Sequence, residues 1–304
     1  MKVLTVEVDF VDFEIDVKPL YEKMKKEFDR CSYGDNVTEC FENLYKKNKL
    51  FLDACDIVEL TSKVEGKEYF LFTYGKAKSR AINKKLFIAD LNSQSPDCLV
   101  NQFWDNVKAN QIAQQSAHDI TVALYIVAIS FCASVDLLNA GDRQSSGTYF
   151  ERLIGHLYSK KFGIIPSNKL EVLNIGSRPT LPTDYIFDLG DQNPKFHVPI
   201  KTSTRERVLQ AWSHQKVLDG VYGIGRFVGL LNCLAETKVD RKKLEVTEIC
   251  LPEQWQIYQS FIARLTRIYY LDIPNAYKKL NDIFPRIHVK ELGEFFHENY
   301  ELME

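Results

Sequence analysis

Nothing in this chain of 304 residues leans toward one sign of charge: 39 Lys and Arg stand against 41 Asp and Glu, for a formal net charge of −2. Coating of nucleic acid through bulk charge is thereby excluded, and any contact with a polyanion must come from a local basic surface. The seven cysteines, at positions 31, 40, 55, 98, 132, 233 and 250, form no CxxC pair and no Cys/His cluster. An odd number so dispersed argues against a disulfide framework or a structural zinc site, and fits buried thiols in a reducing, cytoplasmic setting. Long apolar runs are scarce too. The longest uncharged one, Ile120 to Val135, has 16 residues, short for a membrane span and ordinary for a buried helix, so no membrane partner is expected. Acids at Glu7, Asp9 and Asp12 interrupt the N-terminal apolar residues, unlike a secretory signal. Gly223-x-Gly225 follows no strand and lacks GxGxxG spacing, so it is no dinucleotide fingerprint. Internal repeats and low-complexity linkers are also missing.

What the chain does have is apolar bulk: 45% hydrophobic and 12% aromatic residues, enough for a large core. After a short opening strand, periodicity predicts a helix from Val17 and another over Thr38–Leu60, with Phe41, Leu44, Tyr45, Phe51, Leu52 and Cys55 on its apolar face. Glu68–Tyr74 reads as a strand. The following stretch holds Lys76, Lys78, Arg80, Lys84 and Lys85, five cations in ten residues without an acid, either a phosphate grip or a solvated loop. Asn92–Pro96 reads as a loop. Trp104 opens a helix, as a core residue or a stacking platform. A polar loop, 139–147, contains Arg143 and Gln144, candidate minor-groove or phosphate contacts. Thr148–Tyr158 is a helix with Phe150, Leu153, Ile154 and Leu157 on one side and Glu151 at the edge of that stripe. Phe227–Leu234 and Val246–Leu251 read as further strands of one mixed sheet. Residues 252–304 read as helix, with Trp255, Tyr258, Phe261, Ile262, Leu265 and Tyr269 at three- and four-residue spacing.

The centre of the chain is 184–215, DYIFDLGDQNPKFHVPIKTSTRERVLQAWSHQ. Tyr185–Leu189 and Phe196–Ile200 read as strands joined by a Gly190–Pro194 turn, with a helix starting just after Lys201. An antiparallel hairpin sets its two chain ends side by side, so Asp184 and Lys201 meet. Prolines 179 and 182 hold the approach to Asp184 extended. Ser203-x-x-Glu206 is a capping-box pattern. Arg205-Glu206-Arg207 would diverge in mid-helix but can converge at a helix entrance.

Asp184 followed by Pro199-Ile200-Lys201 resembles the PD-(D/E)XK nuclease superfamily. With Arg205-Glu206-Arg207 four to six residues beyond the lysine, and Glu151 upstream on a helix, the chain resembles in particular the type II restriction endonucleases that cut CCGG, CCNGG or CCWGG sites. The resemblance covers roughly residues 145–250. One element departs: relatives carry a displaced Glu where this chain has His214 and Gln215.

The chain reads as one compact unit, with a mostly helical part over 1–115 carrying a DNA-contacting loop and a nuclease core with a C-terminal helical dimerisation region over 116–304; the resemblance implies an α/β fold, a mixed central sheet flanked by helices. It implies a Mg2+-dependent double-strand endonuclease acting on double-stranded DNA as a homodimer, with the helices after 252 as candidate interface and a cognate DNA methyltransferase in the same system. Glu151 and Asp184 become metal ligands. Lys201 orients the attacking water and offsets phosphate charge. His214 could hold a water beside the cation, or Gln215 could coordinate through its amide oxygen. Arginine forks onto guanine and a carboxylate accepts from cytosine, so Arg205, Glu206 and Arg207 suit G·C pairs. His214 also leaves open a catalytically silent DNA-binding protein of the same fold, and the hairpin alone allows another PD-(D/E)XK nuclease.

Overall fold

The computed structural model describes residues 10–88, 95–139, 141–142, 144–171, 179–190, 193–205, 208–299 and 303. The expected opening strand, Arg143, Glu206 and Arg207, and most of the Asn92–Pro96 loop lie outside the described residues.

The chain begins with helices α1 (Phe10–Arg30) and α2 (Asp35–Asp53), then strands β1 (Asp56–Ser62), β2 (Tyr69–Tyr74), β3 (Ala77–Lys78) and β4 (Ile82–Asn83). Three helices follow, α3 (Lys84–Phe87), α4 (Pro96–Lys108) and α5 (Ala117–Leu138), and then α6 (Ser145–Phe162). Next come β5 (Ser167–Glu171), β6 (Thr180–Asp188), β7 (Lys195–Val198), β8 (Ile200–Lys201), α7 (Val208–Tyr222) and β9 (Phe227–Cys233). The chain closes with β10 (Thr237–Asp240), β11 (Glu245–Glu248), α8 (Pro252–Phe261), β12 (Arg267–Tyr270), α9 (Asn275–Lys278) and β13 (Val289–Glu291), with short 3-10 turns between and after them.

α5 is apolar on every side and is buried along nearly its whole length. The Ser116 hydroxyl starts it by accepting from the Asp119 amide at 3.1 Å. It passes the length and hydropathy criteria for a membrane span. Here it is the hub of the core, with α2, α3, α4 and α6 packed around it. Trp104 belongs to that core and is fully buried, so it is no stacking platform on the surface.

Two mixed sheets flank this hub. The larger runs β13-β12-β9-β7-β6-β5, with β8 also paired to β9. Its β5–β6 and β6–β7 pairs are antiparallel, whereas β7–β9, β9–β12 and β12–β13 are parallel. The smaller runs β10-β11-β1-β2-β3, with β4 on β2. β1 pairs in parallel with β11, across the expected 115/116 division.

Several element boundaries differ from the sequence reading. The predicted Thr38–Leu60 helix stops at Asp53, and 56–62 is strand β1, an alternating Ile57-Val58-Glu59-Leu60 segment that pairs on both edges. β11 joins the smaller sheet instead of extending the larger one. Residues 252–304 are not continuously helical: α8 ends at Phe261, which is exposed, and Tyr269 lies on β12 in the sheet core. Among the described cysteines all seven are free thiols; Cys40, Cys132 and Cys233 are buried, and Cys98 is exposed.

Candidate active site

The β6–β7 hairpin sets Tyr185 opposite Val198. Pro199 has no amide hydrogen to donate and interrupts the strand, while its carbonyl accepts from the Asn232 amide at 2.8 Å and keeps the chain along β9. The next two residues therefore emerge opposite Asp184. Asp184 Oδ2 accepts from the Ile200 amide at 2.7 Å and from Lys201 Nζ at 2.7 Å. The expected acid–lysine meeting is thus present, with Asp184 in the middle of β6 and Lys201 at the end of β8.

α6 brings the third group. Tyr149, Phe150, Leu153, Ile154 and Leu157 are buried, and Glu151 sits half-buried at the edge of that face. One turn later Gly155 permits close approach to β6: a Cβ there would lie 2.5 Å from the Tyr185 ring. Burial, and then the nearby Asp184 carboxylate, push the Glu151 carboxyl up to about 7, while Lys201, Arg152 and a hydrogen bond from Tyr185 pull the other way. A carboxyl whose ionisation burial and a neighbouring carboxylate make costly, beside one ammonium, forms with that neighbour a donor set that a hard divalent cation would relieve. Among the described residues no group of three or more His, Cys, Asp and Glu is placed to hold a metal. Glu151 and Asp184 suffice where the remaining ligands are water and substrate oxygens.

A cavity of about 170 Å³ opens over this pair, lined by Pro182, Thr183, Asp184, Pro199, Lys201, Gln210, Ala211 and His214. His214 therefore reaches the site. Its half-buried imidazole is held below the ordinary histidine range by burial and then by Lys201, so it is neutral at pH 7. Gln215 does not reach the site. It is buried, donates from Nε2 to Asp219 Oδ1 at 3.0 Å and to the Phe227 carbonyl at 2.9 Å, and accepts at Oε1 from His197 Nδ1 at 3.0 Å. The coordination considered for its amide oxygen is ruled out because that oxygen is committed inside the core. Gly229 on β9 leaves room for it, since a Cβ there would stand 2.8 Å from Gln215 Oε1.

The segment after Lys201 corrects another expectation. Among the described residues α7 spans Val208–Tyr222, and the stretch from Thr202 to Arg205 is not helical. The Ser203 hydroxyl donates to Glu236 Oε2 at 2.7 Å. Glu236 Oε1 accepts from the Thr204 amide at 2.7 Å, the Thr204 hydroxyl at 2.6 Å and the Tyr270 hydroxyl at 3.0 Å. Glu236 is buried, and burial holds its carboxyl above the usual range even against these donors. Sequence reasoning missed this residue. Its one signal is an acid directly after the apolar β9 run, where an unpartnered carboxylate would be costly.

Arg205 is exposed two residues past this anchor, its Nε donating to Ser203 Oγ at 3.0 Å. Gln144 is exposed at the start of α6 and lines a cavity shared with α1, separate from the Asp184 cavity. The cation-rich stretch 76–85 is largely engaged within the protein. Arg80 forks onto Asp136 at 2.7 and 2.8 Å, Lys84 pairs with Glu59 at 2.8 Å, and Lys85 donates to the Gly66 carbonyl at 3.0 Å.

No family model and no curated protein matches this sequence. Among solved structures, the type IIP restriction endonuclease Kpn2I superposes with a TM-score of 0.76 at 23% identity, over 92% of this chain and 95% of that one. A complex of the restriction endonuclease PspGI with substrate DNA overlaps at a TM-score of 0.41 and 12% identity, over 69% of this chain and 95% of that one. The chain thus has the α/β fold of the Kpn2I structure, a mixed sheet flanked by helices, with Asp184, Lys201 and Glu151 gathered at one end of its central hairpin.

Proposed function

We propose that the protein is a Mg2+-dependent type II restriction endonuclease that makes double-strand cuts in a short palindromic DNA site with CC and GG halves. The observation that carries this reading is the contact of Lys201 Nζ with Asp184 Oδ2 at 2.7 Å beside Glu151, whose carboxyl that same Asp184 helps to raise. The likeness to Kpn2I supports the fold in which such a site would work.

In this reading Asp184 and Glu151 would hold the magnesium, Glu151 directly or through water. When bound, the ion supplies an activated water and charge relief at the phosphorus and the leaving oxygen. Asp184 fixes the Lys201 ammonium at the mouth of the cavity. There Lys201 orients the attacking water and offsets phosphate charge in a partly desolvated setting. His214, neutral and lining the same cavity, can accept a hydrogen bond from water without adding positive charge.

Arg205, Glu206 and Arg207 read G·C pairs, with Gln144 as a further contact near α6. Cutting both strands of a palindrome requires two sites related by a twofold axis, hence a homodimer, with a methyltransferase of the same specificity protecting host DNA. The test is digestion of a large DNA of known sequence, with magnesium and with chelator, followed by sequencing of the fragment ends. Discrete, magnesium-dependent ends flanked by CC and GG are expected. Specific binding without cleavage would favour the second reading, a catalytically silent DNA-binding protein, which His214 at the place of the relatives' Glu motivates. Nicks in one strand would instead favour another nuclease of this fold.

A further inference from the structure

The hairpin β10–β11 presents Lys238, Arg241, Lys242 and Lys243, all exposed. Its acids are engaged elsewhere. Glu245 pairs with Lys63 at 2.8 Å and Glu248 with Lys67 at 2.7 Å. Asp240 Oδ1 accepts from the amides of Lys242 and Lys243 at 2.9 and 3.2 Å, which braces the turn. Among the described residues none of the four cations forms a salt bridge to a carboxylate, in contrast to Arg80 and Lys84 in the 76–85 stretch. In a chain whose net charge is −2, this is the kind of local basic surface that a polyanion requires.

Its placement ties it to the candidate active site. The Leu234 amide donates to the Lys201 carbonyl at 3.2 Å and the Ala235 amide to the Thr202 carbonyl at 3.3 Å. Glu236 then takes Ser203 and Thr204, and β10 starts at the next residue. The hairpin is therefore a direct continuation of the segment that is bonded, residue by residue, to the chain leaving Lys201. Arg241 from its turn, Arg205 and Arg80 line one cavity of about 350 Å³ together with Thr202 and Ser203.

We propose that the β10–β11 hairpin is a DNA-backbone clamp whose Lys238, Arg241, Lys242 and Lys243 neutralise phosphates flanking the bases that Arg205 faces. This deepens the restriction-endonuclease reading and rests on it. Phosphate contacts set register and salt dependence and carry no sequence information of their own.

The test compares the full-length protein with the triple variant Arg241→Gln, Lys242→Gln, Lys243→Gln. Binding to a cognate and to an arbitrary short duplex DNA is measured in chelator over a range of salt concentrations. A second variant, Lys278→Gln with Lys279→Gln, removes exposed charge from the end of α9 and the residue after it and controls for loss of positive charge elsewhere. Each phosphate contact contributes about 0.9 to the slope of log K against log salt, so the hairpin variant is expected to lose roughly 2 to 3 from that slope, with its preference for the cognate duplex intact and the α9 variant unchanged. A wild-type protein that binds both duplexes with a steep slope, matched by the hairpin variant, would overturn the clamp and leave the enzyme reading standing. A slope loss equal in both variants would also overturn it, as would a variant that no longer tells the two duplexes apart. A wild-type protein that binds no DNA would remove the clamp and the enzyme reading together.

Discussion

Glu236 should be the residue whose loss most disturbs the approach to the candidate active site without touching its chemistry. Its carboxylate is buried and accepts from the Thr204 amide, the Thr204, Ser203 and Tyr270 hydroxyls, four donors from two separate segments. In Glu236→Ala the amide cannot turn away and is left unpaired at about 1–3 kcal/mol, while each hydroxyl can rotate or take water and costs about 0.5–1 kcal/mol. The sum is about 3–6 kcal/mol, a large share of the stability of an ordinary domain. Glu236→Gln keeps the oxygen that serves three of the donors and replaces the one facing Ser203 by an amide NH2. Ser203 can turn and accept, so the loss should be about 1–2 kcal/mol. Urea unfolding of both variants beside the wild type measures these losses, and the slope with denaturant shows whether the transition stays two-state. The order wild type, Gln, Ala is expected, with weaker specific DNA binding in the Gln variant because Arg205 hangs on Ser203. An alanine variant as stable as the wild type would refute the anchoring role.

Three further outcomes are expected. His214→Glu should raise magnesium-dependent cleavage or lower the magnesium it requires, because it would add a carboxylate to the cavity that Asp184 lines; unchanged cleavage at every magnesium concentration would assign His214 to packing. Arg205→Ala should cost about 1–3 kcal/mol of specific binding, and an equal loss on all sequences in a binding assay would recast it as a phosphate contact. Stability should fall in mild acid. Burial holds the His156 and His197 imidazoles down to about 4, so the unfolded chain takes up protons that the folded chain refuses. Their contribution is complete above about pH 6.5 and is lost as the pH drops toward 4, about 3 kcal/mol for each. Urea midpoints that stay flat between pH 7 and pH 5 would contradict the burial of both.

Local chemistry made the hairpin legible: a Gly190–Pro194 turn between two apolar runs brings Asp184 to Lys201 wherever the rest of the chain goes. α5 was legible for a similar reason, since a charge-free run of that length has few places to go but a core. Glu151 was not, because edge position on a helix fits a surface residue as well as a site residue; only β6 crossing at Gly155 makes it a neighbour of Asp184. The Ser203 hydroxyl donates to Glu236, 33 residues away, a partner no local rule can name. The cations of 76–85 read as free because their acids, Asp136 and Glu59, come from distant segments. β12 and β13 were hidden for want of length: four and three residues of strand do not show a period of two inside a stretch dense in aromatics.

The central claim is that Asp184 and Lys201 cut DNA, and it is tested most directly by comparing the wild-type protein with Asp184→Asn and Lys201→Met on one cognate duplex. Cleavage in magnesium and binding in chelator are measured on the same preparations. The account predicts discrete cleavage by the wild type in magnesium alone, and intact DNA with near-wild-type binding for both variants. Wild-type cleavage in chelator, or turnover in either variant equal to the wild type, would contradict it.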